Sequence, residues 1–400
     1  MPKLRIIILM HYMELGGAEM SLLGLLGALD PERVYVDLFV YSHQGPLMRF
    51  IPKWVNLLPD VPAYSVIERP LAEALRRGQF GVAVGRLLAK WKCRRFRKRH
   101  PATGDDGAIM QYVGDYVTPH LPAINPCVEY DLCISYLTPH NIGLHKVRAK
   151  KRLAWIHTDY STVSIDAARE LRVWGAYDRI ASISDEVSRA FTSIFPSLRQ
   201  KIAPIENMLS VDFVKSRAEE FDVADELNGN INILSVGLFC TAKNYDNVPD
   251  IASRMVAAGV KGLKWYLIGF GGSEALIRQR IAEMGMEDHG IILGKKENPY
   301  PYIKACDIYV QPSRYEGKSI TVREAQILRK PVAVTAYPTA PSQIKDGVDG
   351  VIVPLDNEGC ARGLAAFVAD KAKQERIVEY LKLHDYANAS DVEKIYSLLK

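Results

Sequence analysis

A dozen short apolar runs, each separated from the next by a helix-length segment, constrain this chain of 400 residues more than any other feature. Runs that are short and apolar throughout, with helices between them, predict parallel sheets covered on both faces. They fall at 4–10, 34–41, 131–136, 152–156, 179–183 and 201–205 in the first half, and at 231–236, 265–268, 290–293, 307–310, 332–334 and 350–353 in the second. Six and six predict an α/β chain of two Rossmann-like, doubly wound parallel-sheet domains. At roughly 100 to 200 residues per domain, two also suits the length. The expected division is 1–208 and 209–385. The final stretch, 386–400, places Val392, Ile395, Tyr396, Leu398 and Leu399 at helical spacing and is expected to cross back onto the first domain. A loop is expected over 97–107, where Pro101, Gly104 and Gly107 cluster.

Composition removes several classes. With 28 Gly and 22 Pro the chain is neither low-complexity nor collagen-like. No apolar run approaches the roughly 20 residues of a membrane span. The run after Lys3 and Arg5 ends at His11, shorter than the about 7 to 15 residues of a signal-peptide core. The six cysteines form no C-x-x-C pair and have no histidine at metal-ligand spacing. Reduced thiols, no structural metal and a cytoplasmic location are the expectation.

Charge is concentrated. Between Arg76 and Arg99 stand ten Lys or Arg and no Asp or Glu, although the whole chain is only +5. The first 208 residues hold 27 basic and 20 acidic residues, the remainder 24 and 26. Over about 80–99, Val84, Leu87, Leu88 and Trp91 recur near helical spacing among Arg86, Lys90, Arg94 and Arg95. That is the pattern of a basic amphipathic helix on an anionic membrane surface, with Lys90, Trp91, Arg94, Arg95, Arg97 and Lys98 as contacts and no nucleic acid. The alternative is that the apolar stripe packs on the body of the protein and the charges are solvated.

Three segments carry residues suited to chemistry. Gly16-Gly17-Ala18-Glu19 follows the first strand and opens a helix, so its N–H groups could face a phosphate or sugar; a tight turn is the plain alternative. It lacks G-x-G-x-x-G, which disfavours a nicotinamide enzyme. Gly269-Phe270-Gly271-Gly272 reads as a close-approach turn. The richest segment is Ser313 to Ala325, where a strand runs through Pro312-Ser313 to Glu316 and into a helix starting near Ser319, Ile320 and Thr321, with Glu324 inside it. Amides at such a start hold a diphosphate, and two carboxylates eight positions apart accept hydrogen bonds from different hydroxyl-bearing groups of one ligand. Lys243 could reach the same anion as a flexible point charge. On the plain reading Glu324 lies at the surface and Lys243 is solvated.

This segment resembles the E-x7-E motif of retaining nucleotide-sugar glycosyltransferases with the two-domain GT-B fold, family 4. The resemblance runs from Gly16-Gly17 through Trp155-Ile156-His157 and Ser182-Ile183-Ser184 to Ser235-Val236-Gly237, Lys243-Asn244, Gly294, Pro312-Ser313, Glu316 to Glu324 and Gly347 to Gly350. It implies a nucleoside-diphosphate sugar, UDP-linked by default, as a substrate of the second domain. An acceptor on the first domain, a cleft between the two, retention at the anomeric carbon, and no cofactor or metal requirement are also implied. It assigns Glu316 to the donor sugar, Glu324 to the ribose and Lys243 to the diphosphate. Ser319, Ile320 and Thr321 fall to the distal phosphate through their amides, Leu293 and Gly294 to the base, Gly16 and Gly17 to the phosphate from across the cleft, and His157 to the transferred sugar. One position departs: Leu238 stands where many relatives carry an arginine. A missing diphosphate cation costs ~1 to 3 kcal/mol unless Arg314, Lys318 or Lys295 compensates. The implied activity is hexosyl transfer to a lipid-linked capsular, exopolysaccharide or O-antigen precursor, by a protein peripheral to the inner face of the cytoplasmic membrane. Two rivals are a 2-epimerase-type sugar-nucleotide enzyme and a degenerate, non-catalytic assembly module.

Overall fold

The computed structural model describes residues 3–101 and 105–399, with only the backbone of Asp105 and Asp106. The chain divides into two compact units. The first comprises the residues to Met208 and those from Ala389 onward, and the second is Leu209–Asn388. The change back falls at 388/389 rather than 385/386, because Leu209 N–H bonds to the Ala387 carbonyl (2.8 Å) and Tyr386 Oη to Asp349 Oδ2 (3.2 Å).

In the first unit β1 (Leu4–Met10), β2 (Val34–Val40), β3 (Asn56–Leu57), β4 (Tyr130–Ser135), β5 (Ala149–Ile156), β6 (Arg179–Ser182) and β7 (Ile202–Pro204) form one sheet in the order β3-β2-β1-β4-β5-β6-β7. Its neighbours are all parallel, Ile6 of β1 lying opposite both Val36 and Leu132. Ile6, Ile7 and Ile8 are fully buried, so β1 shows no alternation of apolar and polar residues. Truncating one of them to Ala would cost about 2–5 kcal/mol. The second sheet runs β10-β9-β8-β11-β12-β13, built from β8 (Ile231–Val236), β9 (Leu263–Ile268), β10 (Gly290–Gly294), β11 (Ile308–Gln311), β12 (Val332–Thr335) and β13 (Val351–Val353). All twelve expected strands are present. Three further strands, β3 and the paired Asp105–Asp106 and Val163–Ser164, have two residues each, too few to leave a pattern. The six cysteines are free thiols.

Helices named below are α1 (Gly17–Ala28), α2 (Phe80–Arg99), α3 (Ala108–Val117), α4 (Ala167–Gly175), α5 (Ile320–Ile327) and α6 (Val392–Ser397). Residues 97–99, placed in a loop from sequence, are the last turn of α2, and 102–104 of that expected loop lie outside the described residues. Arg97, Lys98 and Arg99 in that turn suit the negative end of the helix dipole.

α2 packs through Val82, Ala83, Ala89 and Cys93 against a core that includes Tyr112, Val113 and Val117 of α3. The two helices approach closely: a Cβ on Gly85 would lie 2.3 Å from the Tyr116 carbonyl oxygen. The opposite face is the amphipathic stripe. Phe80, Val84, Leu87, Leu88 and Trp91 all project to solvent, Leu87 and Trp91 each 53% exposed. The alternative in which this stripe packs on the body of the protein is therefore wrong, since small residues one position away do that packing. Lys90, Arg94, Arg95 and Lys98 continue the exposed face. Arg97 does not, because its guanidinium is turned inward to the Ser164 carbonyl (3.1 Å). Among the described residues no helix is long and apolar enough to cross a membrane.

Candidate functional site

The carboxyl ends of β8 and β11 carry the polar residues of the second unit. Beyond β8 the chain passes Gly237, where a Cβ would sit 2.9 Å from Tyr245 Oη, and reaches Lys243 in a short 3-10 turn. Lys243 Nζ meets Glu316 Oε1 at 2.5 Å. The same Glu316 oxygen accepts from Ser313 Oγ (2.6 Å) and Gln311 Nε2 (3.2 Å). Gln311, the last residue of β11, also accepts from Tyr309 Oη (2.8 Å) and Thr321 Oγ1 (3.2 Å). One fully buried amide thus ties the sugar-assigned carboxylate to the first turn of α5. Sequence reasoning missed Gln311; its only signal is a Gln within an apolar strand, where a buried amide must find partners.

At the start of α5, Ser319 is the N-cap residue but makes no capping side-chain bond. Its own N–H is not available to a ligand, contrary to the sequence assignment, because Gln343 Oε1 takes it at 2.9 Å. Ile320 and Thr321 are the first helical residues, whose N–H groups have no acceptor within the helix. Glu324 is 3% exposed and accepts from Tyr300 Oη at 2.7 Å, which overturns a surface position for it. Burial pushes its pKa up to about 7, against the lowering effect of the Tyr300 hydroxyl. Leu293 and Gly294 end β10, and Gly294 adopts φ +74° while its carbonyl accepts from Gly269 N–H (3.0 Å). Gly269 and Gly271 do form a close-approach turn: a Cβ would lie 1.9 Å from the Gly237 oxygen or 2.5 Å from that of Phe239.

The three cations considered as substitutes at Leu238 are differently placed. Leu238 is 51% exposed. Arg314 is committed, its two terminal nitrogens gripping Asp246 at 2.9 and 2.7 Å and one also reaching the Thr241 carbonyl. Burial raises the Asp246 pKa, but Arg314 more than offsets this and holds it below the ordinary value. Lys318 is buried, and Lys295 lies over the Phe270 ring at 4.8 Å.

The remaining residues belong to the first unit. Gly16 caps α1 and Gly17 begins it, and the side chain of Glu19 folds back over them. A Cβ on Gly16 would fall 2.2 Å from Glu19 Oε2, so the Glu19 carboxyl lies over the helix start. Burial, reinforced by Glu14 and Glu68, raises Glu19 to about 7. His157, just after β5, lines a pocket of about 300 Å³ together with His140, Trp155, Tyr160, Glu170 and Trp174. Its ring lies 4.7 Å from that of Tyr136 and 5.9 Å from that of Trp155, and burial lowers its pKa to about 3. A neutral imidazole of this kind donates or accepts a hydrogen bond and is no acid at neutral pH.

Comparison with known proteins adds four findings. Residues 216–384 match the model of the family described as glycosyl transferases group 1. The chain is 24% identical over 148 residues to the lipopolysaccharide core biosynthesis glycosyltransferase LpsE of Rhizobium meliloti, covering 37% of this chain and 42% of LpsE. Over 140 residues it is 28% identical to the N-acetylgalactosamine-N,N'-diacetylbacillosaminyl-diphospho-undecaprenol 4-alpha-N-acetylgalactosaminyltransferase of Campylobacter jejuni, covering 34% and 37%. The chain thus spans less than half the length of these two curated relatives. In fold it is similar to Anabaena HepE, solved in complex with UDP-glucose, at a TM-score of 0.66 over 99% of both chains and 15% identity.

Proposed function

From a chain whose residues 216–384 match the model of the group 1 glycosyltransferases, we propose a retaining hexosyltransferase. It moves a sugar from a UDP-sugar to a lipid-linked glycan in bacterial polysaccharide assembly, at the inner face of the cytoplasmic membrane. The observation that carries this reading is the Lys243–Glu316 pair beside the uncapped start of α5. A diphosphate arriving there takes Lys243 and the amides of Ile320 and Thr321, and leaves Glu316 to accept hydrogen bonds from the sugar. Glu324 exchanges the Tyr300 hydroxyl for those of the ribose. Charge developing on the departing diphosphate is stabilised by groups already in place, worth several kcal/mol in a water-poor site. The acceptor hydroxyl attacks from the face the diphosphate leaves and passes its proton to that group, so no side-chain base is needed. The choice of UDP is supported by the ligand of HepE, and a lipid carrier by the printed substrate of the Campylobacter relative. The membrane is supported by the exposed apolar and basic face of α2.

Thermal-shift measurements with UDP, GDP, ADP and CMP test the donor site. UDP at 100 times its dissociation constant should stabilise by about 2.7 kcal/mol, and Lys243→Ala and Glu324→Ala should each abolish the effect. Silence with every nucleotide would favour the non-catalytic reading, for which the exposed Leu238 would then be the cause. Flotation with anionic but not zwitterionic vesicles, lost in the Leu87→Asp/Trp91→Asp double variant, tests the membrane face.

A further inference from the structure

Gln311 stands at the carboxyl end of β11, fully buried, and every polar atom of its amide is used. Its Oε1 accepts from Tyr309 Oη at 2.8 Å and from Thr321 Oγ1 at 3.2 Å. Its Nε2 donates to Ser313 Oγ at 2.9 Å and to Glu316 Oε1 at 3.2 Å. Ser313 hands its own proton on to the same Glu316 oxygen at 2.6 Å. A side-chain amide has two N–H donors and an oxygen with two lone pairs, and all four places are taken here. The group therefore stands one way round only, because turning it over would aim its oxygen at a carboxylate.

Glu316 depends on that support. Thr339 Oγ1 donates to the Glu316 carbonyl at 2.9 Å and steadies the main chain, while the carboxyl is held by Lys243 at 2.5 Å. Once a donor's diphosphate draws Lys243 to itself, the carboxyl is left to two neutral donors, Ser313 and Gln311. We propose that Gln311 is a positioning residue: directly and through Ser313, it keeps Glu316 aimed at the donor sugar after Lys243 has moved to the diphosphate. Because Thr321 in the first turn of α5 steadies the same amide, Gln311 also fixes the sugar contact relative to the phosphate contact. The inference rests on the nucleotide-sugar reading.

Calorimetry on the full chain with UDP, UDP-glucose, UDP-galactose, UDP-N-acetylglucosamine and UDP-N-acetylgalactosamine tests it. Gln311→Met keeps an unbranched side chain of similar length and deletes all four hydrogen bonds. It should weaken the best-bound sugar nucleotide about tenfold, the loss of a hydrogen bond to a charged group, and change the affinity for UDP by less than about twofold. An equal loss for UDP and for the sugar nucleotide would mean that Gln311 serves only the fold, and would overturn the proposal. Gln311→Glu gives an independent answer, also where Gln311→Met is unstable. At about pH 8.5 two ionised carboxylates would repel across the same gap, and the sugar nucleotide should bind about tenfold more weakly. At about pH 5.5 the introduced carboxyl, protonated, offers Glu316 an O–H in place of the amide N–H, and binding should return to within about threefold of the wild type. The wild type at each pH is the reference, because burial also raises Glu324 to about 7. Tyr245, Tyr309 and Tyr337, which lie near Glu316 as well, are pushed by burial well above this range. No recovery in acid would overturn the proposal. So would a wild type that binds UDP but none of the four sugar nucleotides, an outcome that leaves the UDP site standing. Failure of UDP itself to bind would instead sink the reading on which the inference rests.

Discussion

α1 and α5 begin in the same way, after a parallel strand and a short turn, yet their first turns hold different things. Over the start of α1 lies the chain's own Glu19 carboxyl. At the start of α5 the N-cap Ser319 makes no capping bond and Glu316, three positions before it, is turned to Lys243. Both helices present the positive end of a dipole; one has its own acidic side chain folded over it and the other does not. A Gly-Gly turn after a strand is therefore no sufficient sign of a phosphate site, because an acidic residue three positions into the helix can occupy it.

Three measurements sharpen or break the contrast. The largest effect is expected from pH. Glu19 and Glu324 are each raised from about 4.5 to about 7 by burial, so the folded chain holds protons that the unfolded chain releases. Their contribution to stability is then fully present below pH 4.5 and is lost as pH rises through 7, by at most ~3 kcal/mol per carboxyl; the buried Glu170 adds to this fall, while the buried neutral His140 and His157 act in the opposite direction. Urea unfolding at pH 5 and pH 7.5 should show this fall, and Glu19→Gln and Glu324→Gln should each flatten it; slopes equal to that of the wild type would disprove the burial argument. Next, Thr321→Glu puts a carboxyl into the first turn of α5, one position earlier than Glu19 stands in α1. Calorimetry should find UDP at least tenfold weaker, ~1.4 kcal/mol, and unchanged affinity would mean that the α5 amides do not hold the diphosphate. Smallest is Leu238→Arg, expected to tighten UDP about fivefold, ~1 kcal/mol, by restoring a cation that Arg314 is not free to supply.

The strands were legible because strands buried on both faces are continuous apolar runs, as in β1 and β8. Glu316, Glu324 and Lys243 were legible as residue types at a spacing. Their partners were not: Tyr300 reaches Glu324 across 24 positions, and Gln343 reaches Ser319 across 24 as well. Nothing local in sequence records such pairings, and they decide which amides and cations remain for a ligand. The face of α2 shows the same limit. Its period announced an apolar stripe, but whether that stripe packs inward depended on Ala83, Ala89 and Cys93 being small enough to fit against α3.

The residues from Ala389 onward complete the first unit. Tyr396 receives the Asp30 N–H, Glu393 pairs with Arg33, the Leu398 carbonyl accepts from Lys151, and Asp391 accepts from the Glu206 N–H. During translation all of Leu209–Asn388 is made before these partners exist. At about 5–20 residues per second, that delay is roughly 10–40 s. Of the two units, the one begun first on the ribosome is thus completed after the other has been made.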